Sequence, residues 1–302
     1  MTLLEQILNF LNGQMNRPVA YQSLALSWFH YLALAIVVVA SVVAVIRMKN
    51  ASSFKLRRFL LVFAGLLLFF ELYKQLIFSY QADWTYQWYI FPFQFCSTPM
   101  YVGLLAGLTK NKKLQQILIN FLGTYGLFAG LAAMVYPSDV FVNTIGINIQ
   151  TMVHHGSMTV VGVALLANKV QRTPKAIIGA TGVFSVLVAI AILLNYIHNT
   201  WIAAGTFNMF FINPNFHNHL PVLAQIEPLV PHSVFVFIYI IGFAFLATLV
   251  LLFEIGIKAI GYKKRSVQPK SQEAVLYEDH FFRTYAEDSQ ATVDFLYMCV
   301  IR

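Results

Sequence analysis

Charged side chains are scarce in this sequence: Asp, Glu, Lys and Arg make up 11% of its 302 residues, against roughly a quarter in a soluble globular domain. Together with a hydrophobic content of 59%, this deficit excludes a soluble globular protein and indicates an integral membrane protein. Cysteine is equally scarce, and Cys96 and Cys299 are expected on different sides or at different depths of the membrane. A structural disulfide between them is therefore not predicted.

Several kinds of functional site lack their usual residues. The His154-His155 pair has no carboxylate nearby, and no helix carries a His-x-x-x-His pair, which argues against a zinc hydrolase. The last apolar stretch lacks the central lysine of a retinal protein. Glu71 is the one carboxylate expected deep in the membrane, which argues against a proton relay. His217 and His219 fall in an exposed loop and are interpreted as surface residues. No metal and no cofactor are predicted.

Seven apolar stretches are long enough to form membrane-spanning helices, which need about 20 residues each. They cover residues 27–46, 59–80, 88–108, 114–135, 148–167, 176–198 and 232–257. The predicted fold is therefore an all-α seven-helix bundle. Residues 1–26 are predicted to form an amphipathic interfacial segment, although a frayed terminus fits as well. Residues 27–260 form the membrane domain, and residues 261–302 form a polar, acidic cytoplasmic tail.

Lysine and arginine alternate between the connections of these stretches. They follow the first, third, fifth and seventh stretches, and they are absent around Asp83, around Asp139 and from residue 199 to 231. Because cytoplasmic loops carry the excess of basic residues, the amino terminus is predicted outside and the carboxyl terminus inside, in the cell membrane. The net charge of +8 is interpreted as a topology signal and a contact for anionic lipid headgroups, not as nucleic-acid binding.

Polar residues inside a bilayer are costly, so they are candidates for function. Glu71 and Lys74 share one face of the second stretch, where they form either a structural ion pair or a pair that orients a polar substrate group. Residues 199–231 form a long, external, Asn-rich and apolar connection, which is expected to pack on the bundle as a lid or re-entrant element.

Cys96 lies between Pro92 and Pro99, early on the expected third helix, where missing backbone hydrogen bonds predict a kinked or locally opened segment. A free cysteine is usually a small buried hydrophobic residue, but the two prolines favour a residue that lines a site. His154 or His155 is expected to activate the thiol if their helices touch, and only one of the two is expected to face the site. Candidate oxyanion donors and substrate contacts are Gln94, Thr98, Lys74 and Asn208.

These residues resemble those of the YwaF-like bacterial membrane proteins, which are related to the eukaryotic transmembrane protein 164 family. The resemblance rests on aromatic-Pro-apolar-Gln-apolar-Cys at residues 91–96, on the fifth stretch with His154 and His155, and on the loop that begins with Asn208. In the family Asn-Tyr is usual in that loop, whereas Met209 follows Asn208 here. The resemblance implies a seven-helix fold and, for the eukaryotic branch, acyl transfer to lysophospholipids through a Cys and a His.

The sequence therefore predicts an outward-facing polar cavity that acts on a lipid, either by acyl transfer or by hydrolysis, through Cys96 and a histidine. Membrane lipids, such as a phospholipid or a lysophospholipid, are the expected substrates. The alternative is a non-catalytic transporter or binding protein that uses the same cavity for a small amphiphile. Turnover distinguishes the two, because an enzyme changes its ligand and a transporter does not.

The alternation of basic connections generates a topology prediction. In intact cells, Asp139→Cys and Gln225→Cys are expected to react with a membrane-impermeant thiol reagent, because both positions fall in connections without Lys or Arg. Lys112→Cys is expected to react only after the membrane is opened. Labelling of position 112 from outside would reverse the predicted orientation.

Overall fold

The computed structural model describes residues 2–218 and 220–266. Expectations for His219, for Cys299 and for the acidic tail beyond residue 266 lie outside the described residues. The described chain is helical, with the elements α1 Leu3–Leu11, α2 Trp28–Met48, α3 Ser53–Gln81, α4 Thr98–Leu108, α5 Lys112–Val135, α6 Ile145–Asn168, α7 Pro174–Ile202, α8 Leu223–Ile226 and α9 His232–Ser266. Short 3₁₀ turns occur at Trp88–Ile90, Met209–Phe211 and Glu227–Leu229.

Within the described chain, six helices are long and apolar enough to cross a membrane: α2, α3, α5, α6, α7 and α9. They correspond to six of the seven expected spans. The prediction of a continuous third spanning helix over residues 88–108 is wrong, since its helical part, α4, contains 11 residues. At 1.5 Å per residue such a helix is about 16 Å long, against a hydrocarbon core of about 30 Å.

Two prolines explain why the first half of this stretch is not helical. Pro92 lacks the amide hydrogen that a helix needs and forces Phe91 into an extended conformation, with ψ of 133°. Pro99 lies in the first turn of α4, where a missing amide hydrogen has no cost. The prediction that Cys96 lies on a spanning helix is therefore wrong, because Cys96 precedes α4.

The centre of the bundle is α6. It packs against α2, α3 and α5, and it is buried to the same high degree as α5, whereas α2 is mostly exposed. The backbones of α5 and α6 approach each other closely at Gly130. A methyl group at Gly130 would lie 2.9 Å from the carbonyl oxygen of His155 and 2.8 Å from the Cβ of Met158. The spacing of α5 from the His-bearing helix therefore depends on a missing side chain.

The expected amphipathic helix at the amino terminus is present as α1. Thr2 and Glu5 form a reciprocal capping box at its start, and Leu3, Leu4 and Phe10 are exposed. Its far end is attached to α3, because the Tyr73 hydroxyl donates to the Leu11 carbonyl at 2.8 Å. This exposed apolar surface on an anchored helix is the pattern expected at a membrane interface.

An ion-pair cluster ties the connection between α6 and α7 to α9. Arg172 donates to both carboxylate oxygens of Glu254, at 3.0 and 2.9 Å, and Lys258 lies 2.6 Å from Glu254. These residues belong to the basic connections, so the cluster is at the end of the bundle that the charge pattern assigns to the cytoplasm.

The close approach at Gly130 predicts that Gly130→Ala destabilises the protein by about 1–3 kcal/mol, because backbone and not only side chains must move. Gly182→Ala is the matched control on α7, where a methyl group meets nothing within 4 Å. That variant should be as stable as the wild type or slightly more so, because alanine favours helix. Thermal unfolding in detergent measures both, and equal losses in the two variants would contradict the close approach.

Candidate functional site

Cys96 lies in a tight turn directly before α4. The Ser97 amide donates to the Gln94 carbonyl at 2.8 Å, and the Thr98 hydroxyl donates to the Phe95 carbonyl at 2.9 Å. Cys96 itself remains partly exposed. Its position next to a helix amino terminus places it beside the positive end of the aligned peptide dipoles, which stabilises negative charge nearby.

His154 is the histidine that contacts the cysteine residue. Its Nε2 lies 3.0 Å from the backbone carbonyl oxygen of Cys96. A carbonyl only accepts hydrogen bonds, so Nε2 carries the proton and Nδ1 carries the lone pair. Nδ1 is buried and has no hydrogen-bond partner among the described residues. In its neutral form His154 therefore has one free acceptor nitrogen, Nδ1, which is what a general base requires.

His155 has a different environment. Its Nδ1 donates to the Thr151 carbonyl one turn earlier on α6, at 2.9 Å, which holds the ring against its own helix. The two imidazole rings are 5.3 Å apart between centroids and tilted by 58°. Of the two predicted candidates, His154 is hydrogen-bonded to the Cys96 backbone, whereas His155 is hydrogen-bonded to the backbone of its own helix.

Glu71 and Lys74 form the expected ion pair, with 2.9 Å between Lys74 Nζ and Glu71 Oε1. Gln75 donates to the same carboxylate oxygen at 2.7 Å and to the Ile90 carbonyl at 2.7 Å, which connects α3 to the segment that leads to Cys96. The second oxygen of Glu71, Oε2, is buried without a hydrogen-bond partner.

Gln94 and Asn208, two of the predicted substrate contacts, join the Cys96 turn to the Asn-rich loop. Gln94 Nε2 donates to the Asn208 carbonyl at 2.9 Å, and Gln94 Oε1 accepts from the Phe210 amide at 3.0 Å. Asn208 Oδ1 accepts from the Asn213 amide at 2.9 Å. The Gln94 amide is thus bonded to loop backbone, and the Thr98 hydroxyl is bonded to the Phe95 carbonyl within the Cys96 turn.

The loop packs on the bundle, as the sequence suggested. Phe207, Met209, Phe210 and Asn213 are buried, and Phe210 adopts a left-handed conformation with φ of 59°. Left-handed backbone is unfavourable for a phenylalanine. Here it is held by the hydrogen bond from the Phe210 amide to Gln94 Oε1 and by ring contacts with Phe93, Phe95 and Phe184.

Sequence reasoning missed two residues of this region. Asn195 on α7 exchanges two hydrogen bonds with the Met209 backbone, at 2.9 and 3.1 Å, and a lone amide in an apolar helix is a signal that could have identified it. Tyr239 on α9 is fully buried, and its hydroxyl has no hydrogen-bond partner among the described residues. Nothing in the sequence distinguishes Tyr239 from other tyrosines in apolar helices.

An apolar cleft lies on the other side of α6. Met152 and Gly156, two residues before and after His154, are turned away from it by about 200° and line a cleft of about 550 Å³ together with α2 and α3. Its other walls include Phe29, Ala33 and Phe63. No cluster of three or more His, Cys, Asp or Glu residues that could hold a metal ion occurs in the part of the chain that the structure describes.

Residues 25–255 match the family model described as the TMEM164 family. The chain belongs to the TMEM164 family. The match includes Cys96, His154, the loop and most of α9, and it leaves α1 outside. A search of curated proteins and a search of solved structures found no match. Membership of the TMEM164 family and six apolar helices of spanning length identify the chain as a multi-pass membrane protein.

The Glu71-Lys74 pair generates a stability prediction. Glu71→Gln or Lys74→Met alone leaves one buried charge without its partner, at a cost of roughly 3–5 kcal/mol. The double variant should recover much of that loss. Yield of folded protein and thermal unfolding measure all three variants.

Lys258→Met is the matched control for the pair. Its side chain is 43% exposed and Arg172 continues to neutralise Glu254, so a small effect is expected. Equal stability of the wild type, both single variants and the double variant would show that Glu71 and Lys74 face water or headgroups instead of each other.

Proposed function

We propose that this member of the TMEM164 family is a lipid acyltransferase in which Cys96 carries the acyl group and His154 moves the proton. The observation that carries the proposal is the imidazole of His154, held against the Cys96 backbone with Nδ1 left free. A buried base of defined tautomer beside a cysteine is the arrangement that activates a thiol. Acyl transfer to lysophospholipids is also what the resemblance of the sequence implies.

The first half of the reaction transfers an acyl group to the enzyme. Nδ1 of His154 has no hydrogen-bond partner among the described residues, so the Cys96 thiol must turn toward it when a phospholipid binds. Nδ1 then takes the thiol proton, and the sulfur attacks the ester carbonyl carbon of the phospholipid. A carbon–sulfur bond forms, the ester carbon–oxygen bond breaks, and the leaving alkoxide takes the proton from His154. The products are a thioester on Cys96 and a lysophospholipid.

The second half returns the acyl group to an acceptor. The hydroxyl of a lysophospholipid loses its proton to His154 and attacks the thioester carbon. The carbon–sulfur bond breaks, and the Cys96 sulfur recovers the proton from His154. With water as acceptor the same steps give hydrolysis, so exclusion of water from the site determines which product forms.

The surrounding polar groups have separate roles in this proposal. Lys74 supplies positive charge near Cys96, and the free Oε2 of Glu71 offers an acceptor to a polar part of the lipid. Gln94 and Thr98 shape the Cys96 turn through their hydrogen bonds to backbone. Asn208 uses its Oδ1 for the loop, so Nδ2 is the group left to donate to a substrate. We place this site in an outward-facing cavity of the cell membrane.

A second candidate, favoured by the cleft beside α6, is a non-catalytic binding protein or transporter for an amphiphile. The cleft has a volume within the range of about 300–1,000 Å³ that is usual for ligand sites, and its walls are almost entirely apolar. An apolar lining suits a hydrocarbon chain in an enzyme and in a transporter alike. The cleft therefore supports a lipid ligand, and the test of Cys96 distinguishes catalysis from binding or transport.

The mechanism predicts that Cys96→Ser folds normally and loses most acyl transfer, because a hydroxyl is far harder to ionise than a thiol. His154→Gln should reduce turnover by about 10²–10⁴-fold, the usual contribution of a general base. His155→Gln should have a much smaller effect, since its imidazole is bonded to its own helix.

The assay uses purified protein in lipid vesicles with isotope-labelled phospholipid donors and lysophospholipid acceptors. Mass spectrometry follows new acyl combinations and an acyl adduct on Cys96. Exchange at the wild-type rate by Cys96→Ser contradicts the covalent mechanism. A wild-type protein that binds these lipids and exchanges none of their acyl groups favours the binding or transport function.

A further inference from the structure

Three residues that hydrogen bonds or ring contacts connect to the Cys96 segment each have a buried polar atom without a hydrogen-bond partner among the described residues: His154 Nδ1, Glu71 Oε2 and the Tyr239 hydroxyl. Buried polar groups are nearly always paired, so an unpaired one calls for an explanation. The mechanism above gives His154 and Glu71 a task. It does not use Tyr239, whose residue is completely buried on α9.

The ring of Tyr239 is fixed by aromatic neighbours that also hold the Cys96 turn. It stacks on Phe184, with 5.9 Å between centroids and 10° between planes, and it packs against Phe243 at 4.7 Å. Both of these rings also contact Phe95, at 5.2 and 5.1 Å. Phe95 immediately precedes Cys96, so one aromatic cluster positions the phenol and the thiol together.

Acyl transfer needs a hydrogen-bond donor for the negative charge that develops on the carbonyl oxygen. The donors expected from the sequence are largely engaged elsewhere. Gln94 Nε2 donates to the Asn208 carbonyl, Thr98 to the Phe95 carbonyl, and Lys74 to the Glu71 carboxylate. The Tyr239 hydroxyl is a buried donor without a partner among the described residues, and its ring shares the neighbours Phe184 and Phe243 with Phe95, the residue before Cys96.

We propose that the Tyr239 hydroxyl is an oxyanion donor of the acyl-transfer site, and that it acts on the carbonyl oxygen of an ester or thioester substrate. This inference rests on the proposed acyltransferase function. When the Cys96 sulfur adds to the carbonyl carbon, the carbonyl electron pair moves to oxygen, and the phenol donates a hydrogen bond to that oxygen. The phenol keeps its proton throughout, and its bond to the substrate is lost when the carbonyl reforms.

The proposal predicts opposite effects of Tyr239→Phe on turnover and on stability. The rate constant kcat should fall about 100-fold, as when one oxyanion donor is removed, while KM changes little because the contact forms in the transition state. The unfolding temperature without substrate should rise by about 2 °C or more, because a buried hydroxyl without a partner is removed.

Tyr125→Phe is the matched control. Tyr125 is also buried and also stacks on Phe184, at 4.8 Å, but its hydroxyl is paired with Thr181 Oγ1 at 2.8 Å. Removing a paired hydroxyl should lower the unfolding temperature and leave kcat near the wild-type value. Both variants remove a tyrosine hydroxyl from a ring that stacks on Phe184. They differ in whether that hydroxyl has a hydrogen-bond partner.

The experiment measures acyl exchange in vesicles and thermal unfolding for the wild type, Cys96→Ser, Tyr239→Phe and Tyr125→Phe. Loss of kcat with a raised unfolding temperature in Tyr239→Phe alone supports the donor role. Wild-type kcat in Tyr239→Phe, with Cys96→Ser inactive, overturns this inference and leaves the acyltransferase standing. A lowered unfolding temperature together with lost kcat shows a structural role for Tyr239. Absence of exchange by the wild type overturns both proposals.

Discussion

Backbone that leaves the helical conformation inside an apolar bundle must find other partners for its amide and carbonyl groups, since lipid supplies none. This constraint explains the polar side chains around Cys96. The carbonyl of Ile90 accepts from Gln75, that of Pro92 from Tyr101, and that of Cys96 from His154. Each of these side chains comes from a helix, so the irregular segment is fastened to the rigid part of the fold.

The same constraint applies to the Asn-rich loop, whose non-helical backbone is also buried against the bundle. Asn195 and Gln94 each bind the loop backbone through both ends of their amides, and Asn213 donates to the Phe207 carbonyl at 2.6 Å. Amides suit this task because one side chain offers a donor and an acceptor at a fixed spacing. The Cys96 segment and the Asn-rich loop are thereby joined to each other at Gln94.

The sequence was informative where a single physical rule decides the outcome. Length and hydropathy predicted the six helices of spanning length that the structure contains. Pro92 and Pro99 correctly indicated an opened segment around Cys96, but the continuous helix predicted over residues 88–108 is not formed. The proximity of Cys96 to the His pair could be anticipated from depth along the helices. The choice of His154 could not, because it depends on the rotation of α6 against a non-helical turn. Tyr239 could not be identified either, because the proposal for it depends on the folded structure, in which its hydroxyl has no hydrogen-bond partner among the described residues.

The two hydrogen bonds of Gln94 have a mechanical consequence. Gln94 is two residues from Cys96, and its amide is hydrogen-bonded to the loop backbone at Asn208 and Phe210. The loop therefore cannot move away from the bundle without breaking both hydrogen bonds or moving the Cys96 turn. Under the proposed acyl-transfer mechanism, a lipid that displaced the loop would also shift Cys96, and Cys96 would return to its position when the loop returned. The positions of the loop and of the Cys96 turn are thus coupled through one side chain, that of Gln94.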